Sequence, residues 1–460
     1  MGPDDAENPQ NWPMWKRVYH TIPPALFGFA ITFGSSVYTP AYKEIAERFD
    51  VSPTASLLGV TLYVIGLGLG PMIASPLSET FGRHIVYRIS LPISALFTLG
   101  AGFSSSFGSL LVCRFFAGAT GSPVLAVGAG TLADMFPPRI RARATSSFLM
   151  SPFLGPSIGP FLGGFVAQYK TWRWTNWVTL FILVVCYASS LGMQETYKKI
   201  ILQKRAKRLN IAPPKQALPQ GLVGVKFLLT VTLLRPLTML FTEPIVAFMS
   251  LYNAFTFSIL FAFFEAFPMV FGGIYGFSVS QVGLAFLAVA IGVIFAVATA
   301  IMLDIKVFQK QFRKAVAEGR AAVAPEHRLY SAMLGSFGIT IGLFWFAWTS
   351  RRAVHWIVPI IATIPFAWGN TSIFISAALY LVDVYGPLNG ASAMAANGLL
   401  RYGMSAVFPL FTVQMYKTLT IPWASSLLGF LSLLMLPIPF VLFRFGPKIR
   451  EKSRYDTIKA

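Results

Sequence analysis

Apolar stretches of 18 or more residues recur from one end of this chain to the other, and no other feature limits its fold so severely. A run of that length is enough to cross the hydrocarbon core of a bilayer as an α-helix. Inside lipid every backbone N–H and C=O must be satisfied within the protein, which helices do internally. Charge has been withdrawn accordingly: 12% of the 460 residues are charged and 55% are hydrophobic, whereas a soluble domain carries about 25% charged residues. Mean hydropathy is +0.64. The predicted fold class is an all-α integral membrane protein.

The pattern predicts twelve spans, at roughly 18–40, 52–75, 84–104, 109–135, 143–168, 174–193, 242–275, 279–303, 329–350, 354–384, 388–417 and 422–445. Lys and Arg set their orientation. With the N-terminus inside, the inner segments hold 28 of the 37 basic residues and the outer ones 7. Both termini are therefore expected in the cytoplasm. The chain divides into a cytoplasmic tail (1–17), a six-helix bundle (18–193), a basic linker (194–241) containing Pro213-Pro214, a second six-helix bundle (242–445) and a second tail (446–460).

The formal net charge of +20 does not point to nucleic acid, because the basic residues lie between apolar runs rather than on one folded face. Their expected partner is the lipid surface. A faint internal repeat supports duplicated halves. Leu132, Asp134, Pro138, Ala142 and Ala144 align with Leu381, Asp383, Pro387, Ala391 and Ala393. Parallel repeats of this kind mark secondary transporters.

Several positions carry chemistry against this apolar background. Between the second and third spans lies GPMIASPLSETFGRH, residues 70–84. Its Glu79, Gly82 and Arg83 form a tight turn whose charges can pair in one conformation and release in another. A plain topology-setting turn explains the same residues equally well. Arg114 sits about 7 Å inside the fourth span by helical rise. It either snorkels to the interface or faces a cavity or an acidic partner. The same choice applies to Arg401, with Asn397 one turn before it. Glu265 is a lone carboxyl in an apolar run, costly unless paired or protonated, and so a candidate proton carrier. Phe263, Phe264, Phe267 and Phe271 around it fit either a pocket lining or plain packing.

Gly155, Gly159 and Gly163 fall four apart, a close-contact pattern between helices. Their stretch, GPSIGPFLGG, begins like a hydrolase nucleophile elbow, but no strand precedes it and it lies in an apolar helix. The four histidines show no metal-ligand spacing. No P-loop is present, so ATP is not the expected energy source.

These segments resemble the major facilitator superfamily, and within it the fungal twelve-span drug:proton antiporters and their polyamine-transporter-like members. The likeness covers nearly the whole chain. It rests on PDDAENPQNWP at 3–13, PLSETFGR at 76–83, RFFAGATGS at 114–122, GPSIGPFLGG at 155–164, WRWTNW at 172–177, RPLTMLFTEPIVAFMSLYNAF at 235–255 and SAMAANGLLRYGMSAVFPLF at 392–411. It implies two pseudo-symmetric six-helix bundles that alternate access to a central cavity. It further implies export of small organic molecules from a fungal plasma membrane, with the proton gradient in place of any cofactor and a monomer as the working unit. Arg114 would serve coupling or substrate binding. Glu79, Gly82 and Arg83 would form the cytoplasmic gate with Asp134 and Asp383. Gly155, Pro156, Gly159, Pro160, Gly163 and Gly164 would form the antiporter motif. The sequence departs from the superfamily at Ser75, Glu79 and Thr80 in the loop, and at Ala117 where a glutamine is common. A polyamine:proton antiporter and a transporter-like membrane sensor stand as alternatives.

Overall fold

The computed structural model describes residues 5–211, 230, 234–319 and 323–457, and all side chains within them except those of residues 76, 138, 387 and 388. Pro213-Pro214 and the rest of the linker's middle lie outside the described residues.

The long elements are all helices: α1 (Met14–Ser36), α2 (Leu58–Phe81), α3 (Arg83–Phe103), α4 (Phe107–Met135), α5 (Pro138–Tyr169), α6 (Arg173–Ser190), α7 (Pro244–Gly272), α8 (279–303), α9 (Tyr330–Thr349), α10 (Ile357–Gly386), α11 (389–419) and α12 (421–451). Among the described residues, nine helical stretches are long and apolar enough to cross a membrane. One of them, Asn389–Glu451, is twice a span in length and bends where Thr420 takes φ 67°, giving α11 and α12. Helices α1 and α6 complete the predicted twelve, although their polar ends make them less apolar. Several predicted boundaries move: α2 ends at Phe81 rather than 75 and α5 begins at Pro138 rather than 143, and both tails shorten. Helix α1 begins four residues before the predicted span, inside the segment read as tail, and α12 continues through Glu451, six residues into the predicted C-terminal tail.

Local sequence explains where the helices start. The Ser106 side chain caps α4 in a box with Ser109, and Ser278 caps α8 in a box with Gln281. Gly82, at φ 103°, breaks the path between α2 and α3, a torsion that glycine reaches without a Cβ penalty. On α3 the exposed Ile85, Ile89 and Ile93 fall four apart, a one-faced apolar stripe of the kind lipid covers.

Packing follows the small residues. A Cβ on Gly155, Gly159 or Gly163 would collide with Thr32, Ser36 or Val37 of the α1 side, so α5 lies directly on α1. Pro152, Pro156 and Pro160 add three missing N–H groups to α5. Near its far end Gly164 turns toward the other half, where it touches the backbone of Val279 and Ser280. Gly283 of α8 in turn meets the Pro160 carbonyl. The two sets of six helices also meet along α2 and α11, where the Thr61 hydroxyl donates to the Ala406 carbonyl at 2.7 Å.

Both described ends of the chain lie at the end of the molecule that carries most of its basic residues. Here the N-terminal segment grips the linker helix Lys198–Arg208. The Arg205 guanidinium bonds both Asp5 oxygens at 2.7 and 2.8 Å and Glu7 at 2.6 Å. That guanidinium holds the Asp5 carboxyl down to about 2.

Candidate functional site

Arg114 does not snorkel. It is 3% exposed and reaches into the first bundle from α4. Its Nη1 donates to the Gly34 carbonyl at 3.1 Å and its Nε to the Gly59 carbonyl at 3.0 Å. Gly34 lies in the last turn of α1, where carbonyls lack helical partners and the helix dipole is negative. The rings of Tyr38 and Tyr63 lie 4.4 and 4.6 Å from the guanidinium. Among the described residues no carboxylate pairs with Arg114, so helix end and rings together hold this charge. Its Nη2 has no partner, nor has the Asn176 amide nitrogen. Both residues line a cavity of about 10 Å³ with Gly34, Tyr63, Thr98 and Thr179, roughly the space of one water.

Arg401 lies at mid-height on α11 and is 7% exposed. Its guanidinium sits 4.0 Å from the Tyr402 ring centroid, 4.6 Å from Phe257 and 4.7 Å from Phe374. One turn away, Asn397 accepts from Asn253 of α7 at 2.9 Å and donates to Ser250 at 3.4 Å. Ser258 and Ser405 continue this ladder at 3.3 Å. An uncharged polar seam thus joins α7 and α11 on both sides of the arginine.

Glu265 lies toward the far end of α7, 1% exposed, and its Oε1 has no hydrogen-bond partner. Lys43, just beyond α1, is the cation that acts on it. Its phenylalanine neighbours pack on other rings. Phe263 and Phe267 pack on Phe346, and Phe264 and Phe267 on Phe286, inside the second bundle.

The basic end carries two similar ion pairs. In the first bundle Arg83, at the start of α3, meets Asp134 near the end of α4 at 3.3 Å. In the second, Arg328, just before α9, meets Asp383 near the end of α10 at 2.7 Å. Asp304 joins the halves. It pairs with Arg143 of α5 at 2.8 Å and with Arg328 at 3.3 Å. Gln309 donates to the Arg139 carbonyl at 2.7 Å, a second link between the halves.

Glu79 stands differently from its expected place in the gate. It is exposed and has no ion pair among the described residues. Glu195 occupies the position beside the turn instead. Its carboxylate accepts from the backbone N–H of Arg83 at 3.0 Å and of His84 at 3.2 Å, at the N-terminus of α3. A Cβ on Gly82 would run into that carboxylate. Gly82→Ala therefore meets both a positive φ and a clash. A loss of about 1–3 kcal/mol is expected, read as a lower Tm of the detergent-purified protein; an unchanged Tm would show that the turn relaxes freely.

Arg328, Asp304, Arg143 and Glu195 were not singled out from the sequence. Arg328 and Asp304 sit at the edges of a basic stretch that reads as a topology signal. The repeat that aligns Asp134 with Asp383 was the available clue that Asp383 needs a partner.

The family model of the Major Facilitator Superfamily matches residues 25–409. The chain is 41% identical to Polyamine transporter 4 of Saccharomyces cerevisiae, over 99% of its own length and 72% of the relative's. To the MFS-type efflux pump MFS2 of Trichophyton rubrum it is 40% identical, over 98% and 76%. Its fold matches that of the proton:xylose symporter XylE with a TM-score of 0.67 and 16% identity, covering 95% of this chain and 97% of that one. Twelve helices in two bundles, ion pairs repeated between the halves, and relatives that run nearly its full length agree: this multi-pass membrane protein is a transporter rather than an enzyme, and it belongs to the Major Facilitator Superfamily.

Proposed function

We propose that this chain exports small organic molecules across the fungal plasma membrane in exchange for protons, as a monomer with its basic end in the cytoplasm. Residues 18–193 and 242–445 act as two bodies that rock about a shared centre, and the Asp304 ion pairs close the cytoplasmic side. The lysine and arginine bias supports the orientation, and the likeness to an efflux pump supports the direction.

One observation carries the coupling: Glu265 is a fully buried carboxyl with an unpartnered oxygen in an otherwise uncharged stretch of α7. Such a group can take up a proton in one conformation and give it back in another. The test is cellular accumulation of labelled azoles, benzimidazoles, spermidine and a dye in a pump-deficient yeast expressing the chain. Accumulation of at least one compound is expected to fall several-fold. An uncoupler and Glu265→Gln should each restore it. Export that persists in the presence of the uncoupler would overturn proton coupling.

A polyamine:proton antiporter is the second reading, favoured by the 41% identity to Polyamine transporter 4. Selective loss of spermidine from the same cells would establish it.

A further inference from the structure

The acidic and basic groups of the membrane interior are unevenly distributed. Among the described residues, Glu265 is the only acid inside a spanning helix away from both ends, and it lies toward the far end with Lys43 as its cation. At mid-height the charge is Arg401. No carboxylate pairs with it among the described residues, and its Nε has no acceptor. Ring faces stabilise a guanidinium, but they leave its in-plane N–H donors unused, and a buried donor without an acceptor is costly. Arg401 is thus held in place with hydrogen-bonding capacity to spare.

Its position is the junction of the two bundles. Phe257 and Phe374, which flank the guanidinium, contact Phe153 of α5 at 5.6 and 4.8 Å between ring centroids. Tyr402 lies against Gly68 of α2. When the bundles part, as alternating access requires, Phe153 and α2 withdraw from this cluster. The exposed surface then presents one guanidinium framed by three aromatic faces. A guanidinium binds a carboxylate through two parallel hydrogen bonds, and ring faces take a flat partner by offset stacking. A polycation entering the same place meets a fixed like charge in a medium that screens it poorly.

We propose that Arg401, with Phe257, Phe374 and Tyr402, is the recognition centre for planar organic anions, and that the chain exports aromatic carboxylates in preference to polyamines. This inference rests on the exporter reading.

Two xanthene dyes of opposite charge test it: fluorescein, which keeps its carboxylate, and rhodamine 6G, a cation whose carboxyl is esterified. Efflux of each, and of labelled spermidine, is followed from yeast expressing the full chain, with and without an uncoupler. Fluorescein is expected to leave in an uncoupler-sensitive way and faster than spermidine. Arg401→Gln should lower the ratio of fluorescein to rhodamine efflux at least tenfold, and Arg401→Lys should recover part of it. Equal surface amounts and a monodisperse elution profile separate this effect from misfolding. Export of rhodamine or spermidine without fluorescein overturns the inference and leaves the exporter standing. An unchanged dye ratio in Arg401→Gln overturns it too. Movement of none of the three, with the protein at the cell surface, overturns both.

Discussion

Asp304→Ala is expected to open the basic end of the molecule. The Asp304 carboxylate is 5% exposed and receives Arg143 from the first bundle and Arg328 from its own. Gln309 adds a 3.4 Å contact to Oδ2, the oxygen that Arg143 binds, while holding the Arg139 carbonyl across the divide. Removing one partner of a buried pair costs about 3–5 kcal/mol because a charge is stranded. Much of that falls on both conformations alike, since Arg328 and Asp304 belong to one bundle. The part that favours closure is Arg143 with Gln309. Arg143 is 36% exposed, and a pair so open to solvent contributes about 1 kcal/mol or less. With the Gln309 link loosened as well, the closed state should lose roughly 1.4–2.8 kcal/mol, a tenfold to hundredfold shift.

A single cysteine reads this shift. Ser146 lines a cavity of about 30 Å³ beside Asp304 and Arg328 at the basic end. In a background lacking Cys113 and Cys186, Ser146→Cys should react with a maleimide tenfold to hundredfold faster once Asp304 is alanine. Arg143→Ala should give a smaller rise, because Gln309 keeps its contact with Asp304 and its link to the Arg139 carbonyl across the divide. Labelling at the parent rate in both would mean that helix packing, rather than the ion pairs, holds this end shut.

The spans were legible because lipid imposes a rule that sequence alone can express: a long apolar run must become a helix. The rule fails only at edges. Helix α1 runs through Trp15, Lys16 and Arg17 because a helix continues into the interface once water can satisfy its ends. The α5 glycines were legible for a similar reason, since spacing by four means one face whatever the neighbour is. What spacing could not supply was the neighbour. Gly155 to Gly163 face α1, whereas Gly164, one residue on, faces α8. The ion pairs were the least legible. Arg328 lies 55 positions from Asp383, and Asp304 lies 161 from Arg143. Glu79 drew attention by standing next to Gly82 and Arg83, yet Glu195, more than a hundred positions on, folds back to accept from that turn. Arg114 shows the limit most sharply. The sequence left it between snorkelling and facing a cavity or an acidic partner; the structure gives burial beside a small cavity, with backbone carbonyls and ring faces in place of an acid.

That arrangement makes Arg114 the position of largest expected functional loss. Its side chain joins α4 to the end of α1 and the start of α2 through two carbonyls, and it is fixed between Tyr38 and Tyr63. Those rings are anchored in turn. The Tyr63 hydroxyl donates to the Ile31 carbonyl and the Tyr38 hydroxyl to the Ser56 carbonyl, each at 2.9 Å. A lysine cannot reproduce this. It has no planar fork to reach both carbonyls and no flat face to lie between two rings. Arg114→Ala is expected to lower export at least a hundredfold, and Arg114→Lys nearly as much. Stability should respond differently. A buried charge without a carboxylate carries a desolvation penalty that its neighbours only partly offset, so the relief on removing it largely cancels the two hydrogen bonds and the packing that alanine gives up. The Tm of Arg114→Ala should therefore stay within a few degrees of the parent. Transport in yeast and melting of the purified protein, measured side by side, decide the matter. Lost export with a nearly unchanged Tm assigns Arg114 to the transport cycle. A collapse of both would make it a structural tie between three helices, and retained export in either variant would remove it from the mechanism.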